Sequence, residues 1–191
     1  LLSCQPNQQG DHSQGSSKAD EDQANIEEAE KEPLIRAQRP AFTSSGLHIN
    51  HIQFVGSHNS YKQAMSDGFV KQLMKVNPKV MESLEYEHAP LAEQLDLGIR
   101  KLELDVFYVA DEDKFLVGHV QQIDMNSNCA TLRICLTQII AWSQNNPTHA
   151  PLWISFNAKD SYIRGLPSPE AFSPVAFALI DSIVEEVLGE K

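Results

Sequence analysis

The chain has 191 residues, 41% of them apolar, and a formal net charge of −11. That length suits one domain of ordinary size. The acidic balance argues against general nucleic-acid binding, which relies on a basic surface.

The apolar residues are unevenly spread. Residues 1–41 are dominated by polar and acidic side chains, as in Gln5-Pro6-Asn7-Gln8-Gln9-Gly10-Asp11 and Asp20-Glu21-Asp22. Such a stretch buries too little apolar surface to offset chain entropy, so it is expected to be a disordered acidic linker. The folded part is expected over 42–191. The chain opens on Leu1-Leu2-Ser3-Cys4. Leu-x-small-Cys ahead of a polar linker resembles the lipobox of bacterial lipoprotein signals, whose Cys becomes the lipidated N-terminus. The resemblance implies lipidation at Cys4 and an exported protein, either anchored in the periplasm or outer membrane or secreted. The charged and apolar regions ahead of a lipobox are not in this sequence, which fits a start inside the signal. No other segment is long and apolar enough to span a bilayer.

In chain order, residues 51–56 (His-Ile-Gln-Phe-Val-Gly) read as a short strand ending in a Gly turn. Phe69, Leu73 and Val76 have rough helical spacing up to Asn77-Pro78. Residues 90–98 form a clearer helix, with Pro90 in the first turn, Leu91 and Leu95 on one face and Gly98 as terminator. Residues 101–107 (Lys-Leu-Glu-Leu-Asp-Val-Phe) alternate strictly. On a strand, Leu102, Leu104 and Val106 face one way while Glu103 and Asp105 face the other. A helix would point the two carboxylates apart, so only a strand brings both to one site.

Asp111-Glu112-Asp113 reads as a turn, and Phe115-Leu116-Val117 as a short strand leading to Gly118-His119. Residues 131–145 are amphipathic. Residues 152–156 are a third main strand, followed by Asn157-Ala158-Lys159-Asp160, and Ser173-Pro174 caps a last helix reaching Gly189. Alternating strands and helices imply parallel pairing with crossover helices, an α/β architecture. Polar residues at the strand ends match the active-site end of a TIM-type (β/α) barrel, and three main strands would be about its N-terminal half. Cys129 and Cys135 are a candidate disulfide if the protein is exported, and two reduced, partly buried thiols otherwise.

The polar residues form a chemical set. Cleaving a phosphodiester requires neutralising a phosphate oxygen, deprotonating a nucleophile and protonating a leaving alkoxide. Calcium takes oxygen ligands, and Glu103, Asp105, Asn59 and Asn157 offer carboxylate and amide oxygens. His58 and His119 are candidate catalytic residues, since an imidazole can give or take a proton near neutral pH. Each has a plainer reading alone: a hydrogen-bonded surface His, a solvated strand edge, a turn. His48, His51, His88 and His149 are left with that plainer reading.

Residues 56–61 (Gly-Ser-His-Asn-Ser-Tyr) resemble the signature that opens the catalytic X region of phosphoinositide-specific phospholipases C. Residues 86–91 and 94–106, with Gln94-Leu95, Gly98-Ile99-Arg100 and Glu103-Leu104-Asp105, resemble the next block of that region. Cys135-Leu136, Trp142-Ser143, Asn146-Pro147 and Lys159-Asp160 are most similar to the bacterial calcium-dependent branch. The resemblance implies a TIM-like barrel, one Ca2+ ion and phosphatidylinositol-type lipids met at a membrane surface. It implies His58 as general base, His119 as general acid, Asn59, Glu103 and Asp105 as metal ligands and Lys159 as a substrate-binding cation. Two departures stand out. Asn157 occupies a position where the family often has Glu, removing one negative charge, and the later strands of the barrel are not in the sequence. The alternatives are a glycerophosphodiester phosphodiesterase, which typically has His-Arg-Gly where this chain has His58-Asn59-Ser60, and a non-catalytic surface lipoprotein of the same fold.

Overall fold

The computed structural model describes Gly46 and residues 48–189. The acidic linker and Cys4 lie outside the described residues. Three strands form one sheet: β1 (Lys101–Val109), β2 (Lys114–Val117) and β3 (Trp153–Ala158), in the order β2-β1-β3. Five helices accompany it among the described residues: α1 (Asp67–Val76), α2 (Pro78–Leu84), α3 (Leu91–Leu97), α4 (Leu132–Asn145) and α5 (Pro174–Leu188).

β1 and β3 pair in parallel, from Lys101 opposite Trp153 to Val106 opposite Ala158, with α4 in the connection. That is the predicted crossover. β2, for which sequence implied no pairing, runs antiparallel to β1, with Val106 opposite Val117 and Val109 opposite Lys114. The reason is connection length. One turn at Ala110–Glu112, with Asp113 in the left-handed region at φ 46°, returns the chain directly, whereas a parallel partner needs a dozen or more residues. The predicted first strand is corrected. Residues 51–56 meet the sheet at one bridge, Gly56 to Lys101, and the Val55 carbonyl accepts from the Arg100 and Lys101 amides instead of starting a ladder. Among the described residues, then, the sheet is open and three-stranded, and the expected half-barrel is not directly shown.

Leu102, Leu104 and Val106 lie on the core face of β1 and are fully buried. They join Leu91 and Leu95 of α3, Leu132, Leu136 and Ile139 of α4, and Ala176, Ile180 and Ile183 of α5 in one apolar cluster. Helix ends follow their local chemistry. Thr131 and Ser173 accept from the amides of Ile134 and Ala176, and Gly98 closes α3 at φ 103°, a conformation that costs a side-chain-bearing residue energy. The Asn77-Pro78 step read as a helix end also starts α2. Asn77 accepts from the Val80 amide and Pro78 is the first helical residue. Cys129 and Cys135 are joined by a disulfide. The bond ties the loop after β2 to the first turn of α4, where both sulfurs are buried.

Candidate active site

The site is built around β1. The alternation that buries Leu102 and Leu104 turns Glu103 and Asp105 to the opposite face, as expected of a strand. Segment 57–62 is fastened to the edge of β1 at Glu103. The Ser60 amide donates to the Glu103 carbonyl at 3.0 Å, and the Glu103 amide donates to Ser60 Oγ at 2.9 Å. The Asn59 amide points to Glu103 Oε2 at 3.3 Å. Asn59 itself takes φ 51°, a left-handed conformation that Asn tolerates better than most residues.

The buried Asn59 side chain is held at both ends. Its Nδ2 donates to the Tyr86 hydroxyl at 2.6 Å, and its Oδ1 accepts from the Tyr61 hydroxyl at 3.3 Å. Burial, then the charge and hydrogen bonding of Asp105, raise the Tyr61 pKa far above the ordinary phenol range, so the hydroxyl stays protonated as a donor. Gln94 clamps the segment from α3. Its Nε2 donates to the Ser60 and Ala89 carbonyls at 2.7 and 2.6 Å, and its Oε1 accepts from Ser57 Oγ at 2.7 Å. His88, left with a plain reading from sequence, bonds the His58 carbonyl through Nε2 at 2.8 Å. Tightly held backbone thus carries an exposed imidazole. The His58 side chain is 76% exposed, with Nε2 3.6 Å from Glu103 Oε2. That is an ion-pair distance, too long for a hydrogen bond. The ring borders an open cavity of about 550 Å3 also lined by Tyr86, His88 and Ile99. Glu103, Asp105 and His119 do not line it, so it adjoins one side of the site.

Asp105 is buried and, besides Tyr61, engages two further side chains. Asn157, its register partner across the β1–β3 ladder, donates through Nδ2 to Oδ1 at 2.9 Å. The Lys159 ammonium lies 3.1 Å from Oδ2. The pairs His58–Glu103 and Asp105–Asn157–Lys159 are therefore direct. His119 joins by a different route. The Gly118 amide donates to the Asp105 carbonyl at 3.3 Å, and the His119 ring bonds Asp124, which in turn pairs with Lys62 of the His58 segment.

Sequence reading missed Lys62, Asp124, Tyr61, Tyr86 and Gln94 as supporting residues. Tyr61 and Lys62 directly follow the His58-Asn59-Ser60 motif, and Tyr86 and Gln94 lie in the stretch read as motif-like. A buried lysine is costly without a partner, but sequence does not tell which lysine is buried. Asp124 stands five residues after His119 with no periodicity to mark it.

The donors suit a hard cation in kind. Two carboxylates share one strand face, Asn59 Oδ1 keeps a second lone pair beyond its bond from Tyr61, and Asn157 has its amino group turned to Asp105, leaving its oxygen as the donor atom. No group of three or more His, Cys, Asp and Glu side chains that could hold a metal occurs among the described residues. Amide oxygens and water must therefore complete any such site. Lys159 shares Asp105 with it, supplying one positive charge against the two carboxylates.

The family described as phosphoinositide phospholipase C, Ca2+-dependent, matches this chain over residues 47–115 and 109–191. The chain belongs to that family. A solved structure of a calcium-dependent phosphoinositol-specific phospholipase C from a Gram-negative bacterium, Pseudomonas sp., in its apo form, is similar in fold, with a TM-score of 0.50 and 21% sequence identity. The similarity covers 84% of this chain and 48% of the bacterial one, so the chain spans about half the length of that phospholipase C. No match was found among curated proteins.

Proposed function

We propose that this phospholipase C family member takes part in calcium-dependent cleavage of phosphatidylinositol-type lipids to diacylglycerol and inositol phosphate. The observation that carries the proposal is the family match spanning His58, Glu103, Asp105 and His119, with His58 and Glu103 in contact in the structure. Glu103 and Asp105, with amide oxygens of Asn59 and Asn157, are the residues that would hold calcium. Calcium bound there would polarise a phosphate oxygen and favour ionisation of a nearby hydroxyl.

In this reading His58 takes the proton of the inositol 2-hydroxyl, and the freed oxygen attacks phosphorus. The bond to the diacylglycerol oxygen breaks as His119 gives that oxygen a proton. The product is a cyclic phosphodiester, which water can open with the two imidazoles in reversed roles. Lys159 contributes positive charge beside the phosphate. The barrel belongs to the same proposal, with the parallel strands β1 and β3 as part of its N-terminal half, as does lipid anchoring through Cys4 at a membrane surface. An assay of phosphatidylinositol beside glycerophosphoinositol tests the substrate class. Preferred cleavage of the lipid supports the proposal, and preferred cleavage of the deacylated diester moves the chain to glycerophosphodiester chemistry.

A further inference from the structure

We infer that Asp124 is a positioning residue for His119: its carboxylate fixes the imidazole with a proton on Nδ1, leaving Nε2 to exchange the proton at the leaving oxygen, while buried Lys62 anchors Asp124. The inference rests on the proposed reading and deepens it.

Three observations carry it. First, Asp124 Oδ2 lies 3.0 Å from His119 Nδ1. An ionised carboxylate only accepts, so the proton between them belongs to the imidazole, and the other ring nitrogen is the one free to act. Second, the contact is held on both sides. The His119 amide donates to the Asp124 carbonyl at 2.8 Å, and the Asp124 amide donates to the Val120 carbonyl at 2.8 Å, which closes a tight turn with Gln122 at φ 61°. Third, the second carboxylate oxygen, Oδ1, takes the Lys62 ammonium at 2.8 Å, with neither side chain exposed. Lys62 also lies over the Tyr86 ring, 5.0 Å from its centre. Tyr86 bonds Asn59, so the pair that orients His119 is built into the support of the His58 segment. A carboxylate held between an ammonium and an imidazole stays ionised through the proton transfer, and it stabilises the imidazolium without taking its proton.

A general acid matters in proportion to how poor the leaving group is. Diacylglycerol leaves as an alkoxide and needs the proton, whereas p-nitrophenolate leaves without one. The full chain, with calcium, is assayed on a short-chain phosphatidylinositol and on the p-nitrophenyl ester of inositol phosphate. D124N is expected to lose about 10²-fold in kcat on the alkyl ester, and at least about tenfold less on the aryl ester. Loss of Asp124 strands a buried ammonium, so K62M/D124N, which removes both charges, is measured beside it. The same leaving-group dependence is expected there. Equal losses on both esters in either variant, with an active wild-type chain, overturn the inference and leave the phospholipase reading standing. A folded wild-type chain that cleaves neither ester overturns that reading, and this inference with it.

Discussion

Lys62 and Asp124 stand 62 positions apart in sequence and close an ion pair at 2.8 Å in which both side chains are fully buried. The pair joins the segment carrying His58 to the loop carrying His119. Removing one partner of a buried pair leaves an uncompensated charge, which costs about 3–5 kcal/mol. K62M is expected to destabilise the protein by that amount in urea unfolding, and K62M/D124N by clearly less. Equal destabilisation by the single and double variants would contradict the pairing.

The same pair predicts an acid dependence of stability. Burial alone would raise the Asp124 pKa, but hydrogen bonds from His119 and Lys62, together with their charges, outweigh it and hold the carboxyl below its ordinary 3.8. A group depressed in the folded state contributes stability above its unfolded value and loses it as pH falls through the folded one. Wild-type stability should therefore fall steeply below pH 3.8, and K62M/D124N should show a shallower slope in that window. Thermal melts followed by circular dichroism between pH 5 and 2 check this.

Cys129 and Cys135 close a short loop, with a sequence separation of 6. Chain-entropy arguments assign such a bridge about 2 kcal/mol. C129A/C135A is expected to unfold at lower urea by that amount, and dithiothreitol should have no further effect on it. A variant as stable as wild type would show that the bridge adds nothing beyond the packing of the two buried side chains.

Glu103 supplies one of the two carboxylates on the strand face. E103Q keeps its shape and removes its charge, so the half-saturating calcium concentration should rise at least about tenfold. Isothermal titration of calcium into both proteins reads this without turnover. Unchanged affinity would remove Glu103 from the metal set.

The elements that sequence specified are those with strong local signals. Strict alternation over 101–107 marked β1 and the face carrying Glu103 and Asp105. Caps and apolar spacing marked α3, α4 and α5. What sequence left open or misread has a common physical origin in that local pattern does not encode the partner. Phe115-Leu116-Val117 reads the same in a parallel or antiparallel pair, and only the short return through Asp113 decides. Residues 51–56 look like a strand but share one bridge with Lys101. α2 buries Met81 alone, too little to give a helical stripe. At the site, His58, Asn59, Glu103, Asp105, His119, Asn157 and Lys159 stood out by chemical type, and the structure brings His58 to Glu103 and both Asn157 and Lys159 to Asp105. Asp124 and Lys62 did not stand out, because their roles arise from a contact between distant segments.

Release of inositol phosphate from phosphatidylinositol vesicles, with calcium or with chelator, by wild-type and H58A proteins tests the proposed phospholipase reaction. His58 is largely exposed, so H58A should stay within about 0.5 kcal/mol of wild-type stability while losing about 10²–10⁴-fold in rate. Calcium-dependent release that H58A loses is the predicted result. Release that persists in chelator or in H58A, or no release from folded wild-type protein, would contradict the account.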